Sequence, residues 1–116
     1  MAVRQRDSAD DDPAGDMEML VRALLANNSQ TLDAMSAGVL AARHLGLVND
    51  TRTFARELGL AHALVIRSVT MLSSELGLVA VDRQNERSQR VRYRLTARGR
   101  AMAERAWQQG NGDGSL

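Results

Sequence analysis

Immediately after Gly77 the hydrophobic period of the chain changes, and that change limits what the chain can fold into. Before it, Val65, Val69, Leu72 and Leu76 fall at i, i+4, i+7 and i+11, one apolar stripe along a helix. The opposite face carries Ala63, Arg67, Thr70 and Ser74, all small or polar apart from the one arginine. After it, Val79 and Val81 alternate with Ala80 and Asp82. A polar turn from Gln84 to Gln89 follows, and then Val91, Tyr93 and Leu95 alternate with Arg90, Arg92 and Arg94. Alternation on both sides of a polar turn predicts a β-hairpin with one apolar and one cationic face. Thr96 then caps a last helix over about 97–109, with Met102 and Ala106 facing inward.

Upstream, start and stop signals divide the chain into short helices. Asp16 can cap a helix in which Met17, Leu20, Val21, Leu24 and Leu25 recur at helical spacing. Asp33 is the expected cap of the next, with Val39 and Leu40 buried and Gly46 at its end. Asp50 caps a short helix whose inward residues are Phe54, Ala55 and Leu58, and Gly59 supplies a left-handed stop. The order is short helix, glycine turn, longer helix, basic hairpin and closing helix. That is a mainly α fold with a small β-hairpin wing (α+β), a winged helix-turn-helix over residues 16–109. Residues 1–15 read as a disordered acidic arm and 110–116 as a flexible tail, because neither can bury enough apolar surface to offset ordering.

Charge is distributed unevenly. All fifteen basic side chains besides histidine are arginine, and the net formal charge is only +1. Residues 83–105 hold eight arginines against two acids, whereas residues 1–33 hold three against seven. A near-neutral chain that concentrates cations in this way builds a local field, unless they only solvate a strand face. The absence of cysteine excludes disulfides, thiol nucleophiles and thiolate metal sites. No apolar run approaches the roughly 18 residues of a membrane span and no signal peptide begins the chain, so no membrane partner and a cytoplasmic location are expected. Neither a histidine–carboxylate pair nor a phosphate-cradling glycine loop stands out, and His44 and His62 lack ligand-spaced partners. The chain is therefore not expected to be an enzyme, nor to carry a metal or a bound cofactor.

Four runs in order, over roughly residues 32–106, resemble the MarR family of bacterial winged-helix regulators. The first is Leu32 to Leu40, with Asp33 where the family has a capping Thr. Thr53-Phe54-Ala55-Arg56-Glu57-Leu58-Gly59-Leu60 is similar to the family's helix-turn-helix. Val65-Ile66-Arg67 with Leu72 and Gly77-Leu78-Val79 is similar to its recognition helix. Glu86-Arg87 and Leu95-Thr96-Ala97-Arg98-Gly99-Arg100 are similar to its wing and the exit from it. The recognition helix and the wing are each about one residue longer than the family pattern, and a single helix follows the wing.

The resemblance implies a sequence-specific DNA-binding transcriptional regulator, in the family's usual form a repressor, acting as a homodimer on double-stranded DNA. The recognition helix would span about 62–76 and the arginine-rich wing about 79–95. Candidate DNA contacts are Thr51, Arg52, His62, Ala63, Arg67, Thr70, Arg83, Arg87, Arg90 and Arg92. Arg67 suits the O6/N7 edge of guanine, and the amides at Thr51 and Arg52 could meet a phosphate. Arg94 is the wing arginine expected to pair with a local acid. With one C-terminal helix, a dimer interface would have to use Met17, Leu20, Leu24, Met102 and Trp107. A small aromatic effector is a further partner that the family implies. Leu64 and Ile66 flank the recognition face, which leaves open a protein-interaction module (an adaptor or anti-repressor) or a non-specific architectural DNA binder. Asp10-Asp11-Asp12 could mimic phosphate against the wing or simply be solvated.

Overall fold

A computed structural model describes residues 12–115, and within them the side chains of residues 12–111. Among the described residues five helices and one antiparallel hairpin make an α+β fold: α1 (Pro13–Asn28), α2 (Ala34–His44), α3 (Thr51–Leu58), α4 (His62–Ser74), β1 (Val79–Gln84), β2 (Val91–Leu95) and α5 (Ala97–Ser115). Among the described residues no helix is long and apolar enough to cross a membrane.

The centre is α2, because its residues are small. Ser36 through Ala42 are all buried, so the helix is enclosed on every side, and Ala37, Gly38, Ala41 and Ala42 let its neighbours approach closely. It contacts α1, α4, α5 and β2. Its start is fixed by a reciprocal capping box. Asp33 Oδ1 accepts from Ser36 N at 2.8 Å, and Ser36 Oγ accepts from Asp33 N at 3.0 Å. These hydrogen bonds, the Ser36 backbone bond foremost, hold the Asp33 carboxyl below its ordinary range.

The expected punctuation is present elsewhere too. Asp50 caps α3 by accepting from Thr53 N at 2.8 Å, and Gly59 ends it with φ +65°. Gly77, at φ +66°, turns the chain out of α4, and Thr96 Oγ1 accepts from Gly99 N at 3.1 Å to cap α5.

Several boundaries and burials differ from the sequence reading. Asp12, rather than Asp16, caps α1: its side chain accepts from Gly15 N, and Pro13 occupies the first turn, where its missing N–H costs nothing. The part of the expected acidic arm from Pro13 to Gly15 is therefore helical, while residues 1–11 lie outside the described residues. At the other end α5 continues to Ser115, where a flexible tail from Gly110 was expected; Gly110 abuts the Met19 side chain, so this turn has a partner on α1. Leu116 lies outside the described residues. Leu20 and Leu24 are 0% exposed within the single chain, so they belong to the core and offer no surface for a dimer. Met17, Met102 and Trp107 are half-buried against that core.

The hairpin pairs Val79 with Leu95, Ala80 with Arg94 and Val81 with Tyr93, and then slips so that Arg83 faces Arg92 and Gln84 faces Val91. β2 is the inner strand, in contact with α2, α3 and α5, and it buries Val91, Tyr93 and Leu95. Among the helices β1 packs chiefly against α4, so Val81 overhangs the helical body and is 44% exposed despite being in phase with Tyr93. Both ends of the hairpin are fixed to one place. Thr96 N donates to Leu78 O at 3.1 Å and Thr96 Oγ1 to Gly77 O at 2.7 Å. Gly99 lies so close to the Leu78 carbonyl that an added Cβ would fall on its oxygen. Gly99→Ala is therefore expected to destabilise the fold by about 1–3 kcal/mol through overpacking against backbone that cannot turn aside, measured by chemical denaturation against Ala101→Gly as an exposed control.

Candidate functional site

The residues before and at the start of α3 tie three elements together. Asn49 O accepts from Tyr93 N at 3.2 Å, and Asp50 forms an isolated antiparallel bridge with Arg92, so this segment runs beside β2 as a third, minimal strand. Thr51 is fully buried. Its hydroxyl oxygen accepts from Val91 N at 3.0 Å and shares a hydrogen bond of 2.7 Å with His62 Nε2 at the first residue of α4. The oxygen is already an acceptor, so its own proton is available to the ring nitrogen, an arrangement that suits a neutral imidazole. The Thr51 side chain is thus an internal strut between α3, α4 and β2, while the phosphate contact expected at this position belongs to the backbone amide.

Arg52 is half-spent in the same way: one of its terminal nitrogens donates to Ser88 O, which holds the tip of the hairpin against α3. Asp50 receives Arg90 Nε at 3.7 Å and Thr53 Oγ1 at 2.9 Å. Burial alone would raise the Asp50 carboxyl. The hydrogen bonds from Thr53 and the charges of Arg90 and Arg92 outweigh it, and hold the group below its ordinary range. Burial also pushes His62 down, helped by the neighbouring charges of Arg52 and Arg90 and opposed by Asp50.

Outside this internal network the remaining candidates are on the surface. Ala63, Arg67 and Thr70 are exposed on α4, opposite the buried Val65, Val69 and Leu72. Arg83, Arg87 and Arg92 are exposed on the hairpin and have no carboxylate partner among the described residues. Arg94 pairs with Asp82 at 2.9 Å, the local acid expected for this wing arginine. Ile66 packs partly against the core, whereas Leu64 is 46% exposed. Leu58, expected inward, is 51% exposed because it stands with Leu47, Met17 and Phe54 around an open apolar cleft between α1 and α3.

Two polar residues of the hairpin turn escaped the sequence reading. Asn85 and Ser88 line a cleft of about 180 Å³ together with Arg83, Arg90 and Arg92. The signal was local: an Asn three residues before a Ser, where the Asn side chain can accept from the Ser backbone, as Asn85 Oδ1 does from Ser88 N at 3.0 Å. Among the described residues no group of His, Asp and Glu is placed to hold a metal ion.

The internal network fixes how stability follows pH. His62 and Asp50 are both held below their ordinary values, so the unfolded chain takes up protons first as pH falls. The His62 contribution is complete above its unfolded value of 6.5 and is lost as pH falls through the lowered folded value; that of Asp50 is complete above 3.8 and lost below it. Tm is therefore expected to fall between about pH 7 and 5, and His62→Gln should flatten that fall. Thr51→Val, which keeps the volume but strands Val91 N–H, is expected to cost about 1–3 kcal/mol in denaturant unfolding.

Compared with protein-family models, with curated proteins and with solved structures, the chain matches none.

Proposed function

We propose that this chain is a winged helix-turn-helix transcriptional regulator that binds double-stranded DNA, with α4 as the recognition helix and the β1–β2 hairpin as the wing. The observation that carries the reading is the set of hairpin arginines without acidic partners, Arg83, Arg87 and Arg92, on a ribbon fastened to the first residue of α4 through Thr51 and His62. A helix face bearing Ala63, Arg67 and Thr70 suits entry into a major groove, where small side chains allow close approach and Arg67 can meet a guanine edge. The hairpin arginines suit phosphates or the negative potential of an adjacent minor groove. An enzymatic role is not part of this reading.

The effector that the family resemblance implies would find room in the α1–α3 cleft, about 490 Å³ and lined chiefly by apolar side chains including Met17, Phe54 and Leu58. A homodimer would draw on the half-buried Met17, Met102 and Trp107. One observation favours a second reading, a protein-interaction module: the exposed Leu64 on α4.

DNA affinity measured against salt separates the two. Three phosphate-directed arginines predict a log–log slope of about −2 to −3, and Arg87→Gln should reduce its magnitude by about 1. Arg67→Ala should cost about 1–3 kcal/mol on a selected duplex and relax discrimination at one base pair, while Arg94→Gln changes affinity little. No binding to any duplex at low salt, combined with capture of a protein partner that Leu64→Ser abolishes, would instead establish the interaction module.

A further inference from the structure

The hairpin carries a defect in its ladder that its own residues do not explain. Continued without interruption, the register would set Asp82 opposite Arg92 and Arg83 opposite Val91. The slip between Val81 and Arg83 removes the acid from that position and sets Arg83 directly across from Arg92. Like charges directly opposite one another destabilise an antiparallel pair, and bulges commonly re-aim side chains beside binding sites. The displaced Asp82 is committed to Arg94 at 2.9 Å, so it does not neutralise the pair.

The surroundings of this pair present donors almost exclusively. Arg83, Asn85, Ser88, Arg90 and Arg92 line one cleft of about 180 Å³, with no carboxylate among them. Asn85 Oδ1 already accepts from Ser88 N, which leaves the amide NH₂ to donate. Ser88 Oγ already accepts from Arg90 N at 3.2 Å, which leaves the hydroxyl proton to donate. The backbone carbonyls of Asn85, Ser88 and Arg90 are occupied by Gln89 N, Arg52 and Asn85 N respectively. Arg90 Nε is buried without a hydrogen-bond partner, its carboxylate neighbour Asp50 standing off at 3.7 Å. The cleft exceeds the ~30 Å³ share of one water molecule several-fold, so it can take a small polyatomic ion.

We propose that this cleft is a built site for a single oxyanion of the phosphate class, held between Arg83 and Arg92 across the strands with Asn85 and Ser88 donating from the turn. The ion supplies the negative charge that the bulge removed, and the fork of each guanidinium matches two of its oxygens. The site goes beyond the regulator reading, because it binds the ion in the absence of DNA. Two sources share the chemistry, the phosphodiester of a nucleic-acid backbone and free inorganic phosphate.

Thermal unfolding of the full chain tests it, with inorganic phosphate replacing chloride at constant ionic strength. The expected result is a saturable rise in Tm of about 3 °C or more in the wild type. Arg83→Gln should raise Tm by about 1–4 °C in chloride, because it relieves the like-charge pair, and should abolish the response to phosphate. Arg92→Gln, on the opposite strand, should do the same, whereas Arg94→Gln keeps the phosphate response. A wild type indifferent to phosphate, or an Arg83→Gln protein that responds as the wild type does, overturns the site. Competition distinguishes the sources. Displacement of a labelled duplex by phosphate beyond the effect of equal chloride assigns the site to the backbone phosphodiester. Saturable phosphate binding without such displacement assigns it to the free ion. Phosphate binding by a chain that binds no duplex at all sinks the regulator reading and leaves the oxyanion site standing.

Discussion

The hydroxyl of Thr51 is the point on which the arrangement of the molecule depends. It is buried, it accepts from the backbone of β2, and it meets the ring of the first residue of α4. Three elements distant in sequence thereby acquire a common origin. A valine would fill the same space, but it would leave a strand amide without an acceptor and α4 without the side-chain tie that reaches β2 through Thr51. The neighbouring Asp50 and Arg52 extend the same node outward, one to Arg90 and the other to Ser88. The polar residues at the start of α3 therefore position surfaces more than they form one.

This division of labour separates two kinds of arginine. Arg43, whose Nε donates to Tyr93 O at 2.9 Å, belongs with Arg52 and Arg94 as a structural tie within the fold. Arg67, Arg83, Arg87 and Arg92 make no ion pair or side-chain hydrogen bond among the described residues, although Arg92 also acts on the Asp50 carboxylate, and their charge gives the hairpin and α4 their chemical character. Counting arginines over residues 83–105 captures the field but not this sorting.

Much of the architecture was legible because it is written in local signals. Asp33, Asp50 and Thr96 cap helices through their own side chains, Gly46, Gly59 and Gly77 adopt the left-handed turns that only glycine takes freely, and the alternation of Val91, Tyr93 and Leu95 marks an inner strand. What was not legible depends on which neighbour each face meets. Leu20 and Leu24 share their spacing with any interfacial stripe, and only the packing of α1 on α2 and α5 makes them core. Leu58 and Val81 are in phase with buried residues, yet one faces an open cleft and the other overhangs the body. The ladder slip near Asp82 left no signature in an otherwise regular alternation, so the Arg83–Arg92 pairing and the donor-lined cleft were hidden. The fold class follows from the sequence, whereas the function rests on surface chemistry that the fold permits but does not dictate.

The two strands of the hairpin enter and leave at one clasp, where Thr96 reaches the carbonyls of Gly77 and Leu78 and Gly99 closes against the latter. Far from that clasp, the Arg52 guanidinium is the brace on the turn. The ribbon is thus a cantilever with a rigid root, held along its inner strand by Thr51 at Val91 and Asp50 at Arg90 and braced at the turn by Arg52. Its attachment is graded along its length, so anything that competes for the Arg52 guanidinium would free the turn at Ser88 while the root, and the helices behind it, stay where they are.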